Sequence, residues 1–321
     1  MAGSGNSTVN TTALIAQEVY LDTVLYPLVE PLLSQDIVVD VSQFSHGDTA
    51  HIPVMGSISA HDRQENDDPK FSAISTSRFD LVIDQHKESA SYITKEQMEN
   101  GYATHLLQNE VIPQQRQALL ELYESSMLNL QSAQTSGNAN NINGAPHRIM
   151  ASGTSNVISK EDFFRAKYVL RKANVPDQQL ICIVDPFTAL ELETSTNILN
   201  LSNNPSFSGF ITSGLASQTA FARDIAGFKI FISDRLPTIT TETIGGTTVT
   251  NGRTCLFMSL ANNQVKPFCR AWRRFPEAKA EYNDKKDRLE MWIRSRYGFG
   301  LMRPSGLVTV IAKNPTSGFS V

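Results

Sequence analysis

Apolar and polar positions alternate over two separate stretches of the chain, and each alternation predicts extended structure. Across residues 48–60, Ile52, Val54, Gly56 and Ile58 fall on one face of a strand. A polar tip follows, His61-Asp62-Arg63-Gln64-Glu65-Asn66-Asp67-Asp68-Pro69-Lys70. The chain returns through Phe71, Ala73 and Ser75, then through Phe79, Leu81 and Ile83 alternating with Arg78, Asp80 and Asp84. This is a long two-stranded ribbon with a charged end. Two strands bury little against each other and are marginal alone in water, so the ribbon must lie on something else. In the second stretch, Leu289, Met291, Ile293 and Tyr297 face one way and Arg288, Glu290, Arg294 and Arg296 the other. Leu307, Val308, Val310 and Ile311 make a last strand after Pro304.

Helical spacing predicts the segments between. Leu14, Ile15, Val19, Leu25, Val29 and Leu33 recur helically, but Pro27 and Pro31 divide them into short pieces. From Thr94 to about Gln134 the pattern is longest. Thr94 and Gln97 fit a capping box, Met98, Tyr102 and Leu106 form one stripe, and Leu119, Tyr123, Met127 and Leu130 form another. Pro113 between the stripes is expected to kink or interrupt the helix. Some 40 residues would extend about 60 Å, the length of a spine. Residues 135–158 are rich in Ser, Gly and Asn and mark a loop and a boundary.

A second unit follows, with a helix capped by Ser159 to Asp162, a buried strand Leu180–Val184, a helix from Phe187 to Glu193, a loop-rich stretch 195–218 and a strand Gly227–Ile232. Ile244-Gly245-Gly246-Thr247 reads as a hairpin turn, with strands at Thr254–Leu260 and Gln264–Phe268 after it. The order of ribbon, long helix, α/β insert and return strands is that of an α+β fold with a discontinuous domain, the return strands packing on the spine helix.

Composition narrows the function. The 321 residues carry 28 Lys+Arg against 32 Asp+Glu, a formal charge of −4, with 40% hydrophobic and 19% charged. That supports a core and excludes disorder as the main state, and it lacks the basic surplus of a dedicated DNA binder. Cys182, Cys255 and Cys269 include no CxxC, so neither a zinc knuckle nor a redox pair is formed, and each reads as a buried small residue. Residues 1–12 are read as a flexible arm without a secretory signal, and no apolar run is long enough for a membrane span.

Phosphate-loop, nucleophile-elbow and HExxH fingerprints are absent. His46 and His51 lack a third ligand and read as a turn and strand start. His61 with Asp62 would sit on a mobile tip, which holds catalytic geometry poorly. Asp67-Asp68 with Glu65 has no calcium-loop spacing. Arg270, Arg273 and Arg274 around Trp272 could stack on nucleic acid, but the acidic total favours an inter-strand surface with local ion pairs. No catalytic, cofactor-binding or metal site is expected.

This order resembles the major capsid proteins of tailed bacteriophages, the family with the HK97-type fold. The resemblance is carried by His46-Gly47-Asp48-Thr49-Ala50-His51-Ile52-Pro53-Val54-Met55-Gly56, by Phe79-Asp80-Leu81-Val82-Ile83-Asp84-Gln85-His86-Lys87 with the helix from Ile93 onward, by Gly227 to Pro237, and by Tyr297-Gly298-Phe299-Gly300-Leu301-Met302-Arg303-Pro304. It implies an N-terminal arm (1–47), an extended β-hairpin loop (48–91), a peripheral domain with the long spine helix (92–158 and 272–313), an α/β axial domain (159–271) and a C-terminal tail (314–321). The implied role is that of a structural major capsid protein which self-assembles into pentamers and hexamers of an icosahedral shell around packaged double-stranded DNA. His61, Asp62, Arg63, Asp67, Asp68 and Lys70 at the ribbon tip are then expected inter-subunit contacts.

The implied partners are copies of the same chain, a portal, packaged DNA held without sequence-specific binding, and either a separate scaffolding or cement protein or none, with no membrane. The implied location is the virion shell, assembled in the host cytoplasm. Some relatives crosslink through a loop lysine. Lys70 lies near the tip without an identifiable partner, so no crosslink is expected. An encapsulin-like compartment shares the fold and stays open as an alternative. A soluble α/β enzyme is the alternative from another class.

Overall fold

The computed structural model describes residues 37–42, 47–56, 58, 60–63, 65, 68, 71, 73–100, 104–134, 141–194 and 224–313. The helical pieces expected before Leu33, the stretch 195–218 and the C-terminal tail lie outside these residues. The chain begins with β1 (Val38–Asp40), β2 (Thr49–Met55), β3 (Thr76–Val82) and β4 (Gln85–Thr94). Helices α1 (Lys95–Asn100) and α2 (Thr104–Leu128) follow, and a 3-10 segment, Asn129–Gln134, continues α2. Next come β5 (Asn141–Ile142), β6 (Ala145–Pro146), β7 (Arg148–Met150), α3 (Lys160–Lys172), β8 (Leu180–Val184), α4 (Pro186–Thr194), β9 (Asp224–Ile225) and β10 (Phe228–Ile232). The last strands are β11 (Thr238–Ile244), β12 (Thr247–Ser259), β13 (Phe268–Asn283), β14 (Arg288–Leu301) and β15 (Leu307–Lys313).

A seven-stranded mixed sheet runs in the order β7-β15-β12-β8-β10-β9, with β11 paired to β12. Its central strand β8 is apolar and buried at every position, because both of its faces are covered. Cys182 and Val184 face one side, where they join Phe228, Phe257, Val308 and Val310 beneath Phe163, Ala166, Val169 and Leu170 of α3. Phe163, Phe228 and Phe257 meet edge to face at 5.1–6.2 Å. Ile181 and Ile183 face the other side, with Leu256, Met258 and Leu307 against Met127 and Leu128 at the end of α2. The sheet is thus held between α3 and the tip of the spine helix. The β11–β12 turn has φ of 60° at Gly245 and 82° at Gly246, a pair of left-handed positions that explains the Gly-Gly.

A second sheet, in the order β1-β13-β14-β4, lies along the spine helix. Leu119, Tyr123 and Met127, four residues apart, are buried. Gln115 of α2 donates to the Met291 carbonyl at 3.1 Å and to Ser91 Oγ at 3.0 Å, tying the helix to β14 and β4. The expected cap is present: Gln97 N donates to Thr94 Oγ1 and Thr94 N to Gln97 Oε1, both at 3.3 Å.

Pro113 lies inside α2, which runs through it unbroken. Proline removes one backbone donor, and the remaining ladder and the packed face of α2 sustain the helix. With the 3-10 segment, α1 and α2 cover the stretch from Lys95 to Gln134 expected of the spine, apart from residues 101–103, which lie outside the described residues. Two expectations are corrected. Residues 264–267 form a turn rather than a strand, and β13 begins at Phe268. Residues 135–158 are not all loop, because β7 pairs in parallel with β15. Both β7 and β15 therefore share a sheet with β8, β10 and β12.

The 3-10 segment after α2 is a polar joint between spine and sheet. Arg148, 1% exposed, donates from Nε and Nη2 to the Glu242 carboxylate at 2.6 Å each and from Nη1 to Gln131 Oε1 at 2.5 Å. Gln134 donates to the carbonyls of Pro304 and Leu307 at 3.1 and 3.0 Å, and accepts from Thr309 Oγ1 at 3.0 Å. Arg148→Ala leaves the partly buried Glu242 carboxylate without its cation and is expected to cost about 3–5 kcal/mol in a urea melt. Replacing both partners, Arg148→Met with Glu242→Leu, is expected to recover most of that loss.

Candidate functional site

The feature that reaches away from both sheets is the ribbon. Strands β2 and β3 hold register from Thr49 opposite Val82 to Met55 opposite Thr76. Neither pairs with another strand among the described residues. At the root, Ala50, Leu81 and Ile83 are buried against Cys269 and Ala271 of β13, with Phe79 packed beside them. The register sets Cys269 opposite Gly300 and Ala271 opposite Gly298. This patch of the second sheet is therefore a floor of four small residues. A Cβ on Gly298 would stand 2.3 Å from the Val82 carbonyl oxygen, and one on Gly300 would stand 2.7 Å from the Phe79 ring. Only bare backbone lets the ribbon cross the sheet that closely.

The alternate residues of β14 point to the opposite face and lock the same strand to the spine helix. Tyr297 and Phe299 meet the Tyr123 ring at 5.0 and 4.6 Å, and Trp272 stacks on Tyr123 at 5.0 Å with planes 3° apart. Burial pushes the Tyr123 phenol up to about 12, although Arg270 donates to its oxygen at 3.2 Å. The same guanidinium reaches Asp40 of β1 at 3.1 Å, where β1 adds in parallel to β13. Burial alone would raise the Asp40 pKa, but hydrogen bonds from Ser42 and Arg270 hold it below the ordinary value. Arg270 thus joins the incoming chain, the second sheet and the spine, and Trp272 is occupied by protein rings, as an inter-strand surface requires.

Beyond the root the ribbon is bare. Met55, Ile58, Phe71 and Ile74 are 68%, 69%, 93% and 60% exposed. The tip residues His61, Asp62, Arg63 and Asp68 are exposed with them, while Asp67 and Lys70 lie outside the described residues. His51 stands across the ribbon from Asp80, with Nδ1 2.5 Å from Oδ1, and that hydrogen bond lowers the Asp80 pKa. This is a cross-strand pair and His46 lies outside the described residues. No cluster of three or more His, Cys, Asp or Glu side chains suited to a metal occurs among the described residues. The three cysteines are buried, and burial raises the Cys255 and Cys269 thiols to about 12, which keeps them protonated.

Sequence reasoning missed the small-residue floor and the Gln131/Gln134 joint. The floor had a visible signal, two glycines two apart within a strand pattern. The joint had none.

A family model for phage capsid protein matches residues 83–310. Solved structures share the fold over nearly the whole chain. The capsid of cyanophage P-SCSP1u is 18% identical, with 94% of each chain covered and a TM-score of 0.69. The mature capsid of bacteriophage PhiM1 is 13% identical, covering 92% of this chain and 91% of that one, at 0.68. The capsid of cyanophage Pam1 is 12% identical, covering 99% and 100%, at 0.66. No curated protein matches the sequence.

Gly300→Val places a branched side chain under the Phe79 ring. It is expected to cost about 1–3 kcal/mol and to lift the ribbon root, read as faster protease cleavage within residues 49–82 while the far-ultraviolet circular dichroism is retained.

Proposed function

Because the chain belongs to the phage capsid protein family, we propose that it is completed by identical copies in the pentamers and hexamers of a closed icosahedral shell. Its fold is the HK97-type capsid fold and its role is structural rather than catalytic. The observation that carries the proposal is the ribbon: two strands anchored at one end, with an apolar midsection and a charged tip facing solvent. Burying each large apolar side chain there would contribute roughly 1.5–3 kcal/mol before the entropy of association is charged against it. Many such contacts, each modest, act together in a shell, and they close when the rotation between copies closes.

Within this reading, residues 1–47 are the arm, 48–91 the extended loop and 314–321 the tail. The spine helix with the four-stranded sheet is the peripheral unit. The seven-stranded sheet with α3 is the axial unit, and sheet pairing supports giving it β7 and β15. The tip residues His61, Asp62, Arg63, Asp67, Asp68 and Lys70 contact a neighbouring copy. A portal and a scaffolding or cement protein complete the particle, which encloses duplex DNA without reading its sequence and assembles in the host cytoplasm.

Light scattering and negative-stain imaging of the purified chain test the proposal: closed particles of uniform size are expected. Replacing residues 60–68 by a Gly-Ser turn is expected to abolish them while leaving circular dichroism unchanged. A wild-type chain that stays monomeric as its concentration rises would overturn the reading. Particles boiled in SDS are expected to run as a single band, and a ladder of multimers would show that the ribbon crosslinks.

A further inference from the structure

We propose that the outer face of the four-stranded sheet, beside the ribbon root, holds a phosphate-type oxyanion. A cavity of about 480 Å³ opens there, lined among others by His86, Glu88, Arg273, Arg274, Arg294 and Arg296. Four arginines against one carboxylate make this a local reversal of a chain whose net charge is −4. The register sharpens the point. Arg274 of β13 lies opposite Arg296 of β14, and Arg296 lies opposite His86 of β4. Neighbouring strands are about 4.8 Å apart, so two guanidiniums and an imidazole form a row across three strands. Like charges directly opposite one another destabilise a sheet.

The Glu88 carboxylate in the cavity accepts a hydrogen bond from Arg294 Nε at 3.0 Å. The Arg296 Nε is buried and has no hydrogen-bond partner among the described residues. A buried donor left unpaired is costly, and a guanidinium does not relieve that cost by losing its proton. The row therefore calls for an anion from outside the chain. Forks arriving from separate strands match a tetrahedral anion, whose oxygens accept from several directions. A lone carboxylate offers only two oxygens, in one plane. Inorganic phosphate and the phosphodiester backbone of a duplex share this chemistry. The cavity is lined by a single subunit, independently of shell assembly.

The test is calorimetric titration of the full-length protein, in whichever state it is purified, with inorganic phosphate in chloride buffer and separately with a 20-base-pair duplex. Saturable phosphate binding is expected, weakened at least tenfold by Arg274→Gln with Arg296→Gln and unchanged by Lys279→Gln elsewhere on β13. In phosphate-free buffer the double variant is expected to melt at or above the wild type, because the like-charge row is gone. If the double variant does not fold, Arg274→Gln alone, at an exposed side chain, is expected to weaken phosphate binding. A duplex that competes with phosphate and loses affinity in the same variant identifies the backbone as the source. Phosphate binding without duplex binding identifies the free anion. Absence of saturable binding of either probe, binding indifferent to the arginine variants, or tighter occupation by an acidic peptide of residues 60–70 would each overturn the proposal.

Discussion

The ribbon leaves the subunit through a crossing in which backbone meets backbone. Cys269, Ala271, Gly298 and Gly300 make the floor, and Leu81, Ile83 and Phe79 rest on it. The interior of a protein is packed as densely as an organic crystal, so the height of that floor sets the height and direction of everything beyond it. Two glycines thereby govern the placement of a projection whose far end has no support of its own. The same strand turns Tyr297 and Phe299 to its other face, where they grip Tyr123 of the spine helix. One strand thus references the ribbon to the helix, with side-chain size doing the sorting between faces.

The spine helix carries that reference to the seven-stranded sheet. Its apolar end, Met127 and Leu128, packs under Ile181 and Ile183. Its polar continuation is fixed by Gln131 to Arg148 and by Gln134 to β15. These hydrogen bonds involve buried groups, and a partly broken network of buried polar groups is worse than none. The joint therefore behaves as one unit, and displacement of the spine relative to the sheet meets a steep cost.

Much of this was legible in the sequence, and the rest was hidden for identifiable reasons. Strands with an apolar face announced themselves in the ribbon and β14, and β8 did so as an unbroken apolar run. The capping boxes at Thr94 and Ser159 marked their helices. Strand β4 did not show, because its inward positions before Ile93 are Gln85, Lys87, Ser89 and Ser91, and a half-buried polar face leaves no hydrophobic rhythm. Membership of β7 and β15 in one sheet did not show either, since pairing between residues 148–150 and 309–311 is a long-range fact that local pattern cannot carry. Pro113 did not end the helix, because tertiary packing outweighed its local penalty. The tip residues His61, Asp62, Arg63 and Asp68 were readable as polar, and they are exposed.

The central claim is that a folded subunit leaves its ribbon unsatisfied until identical neighbours cover it. Hydrogen–deuterium exchange over residues 49–82 tests this most directly, in the dissociated subunit and in the assembled particle. The account predicts protection confined to the root, near Leu81 and Ile83, in the subunit, and protection along the whole ribbon only after assembly. Equal protection in both states, independent of concentration, would contradict it.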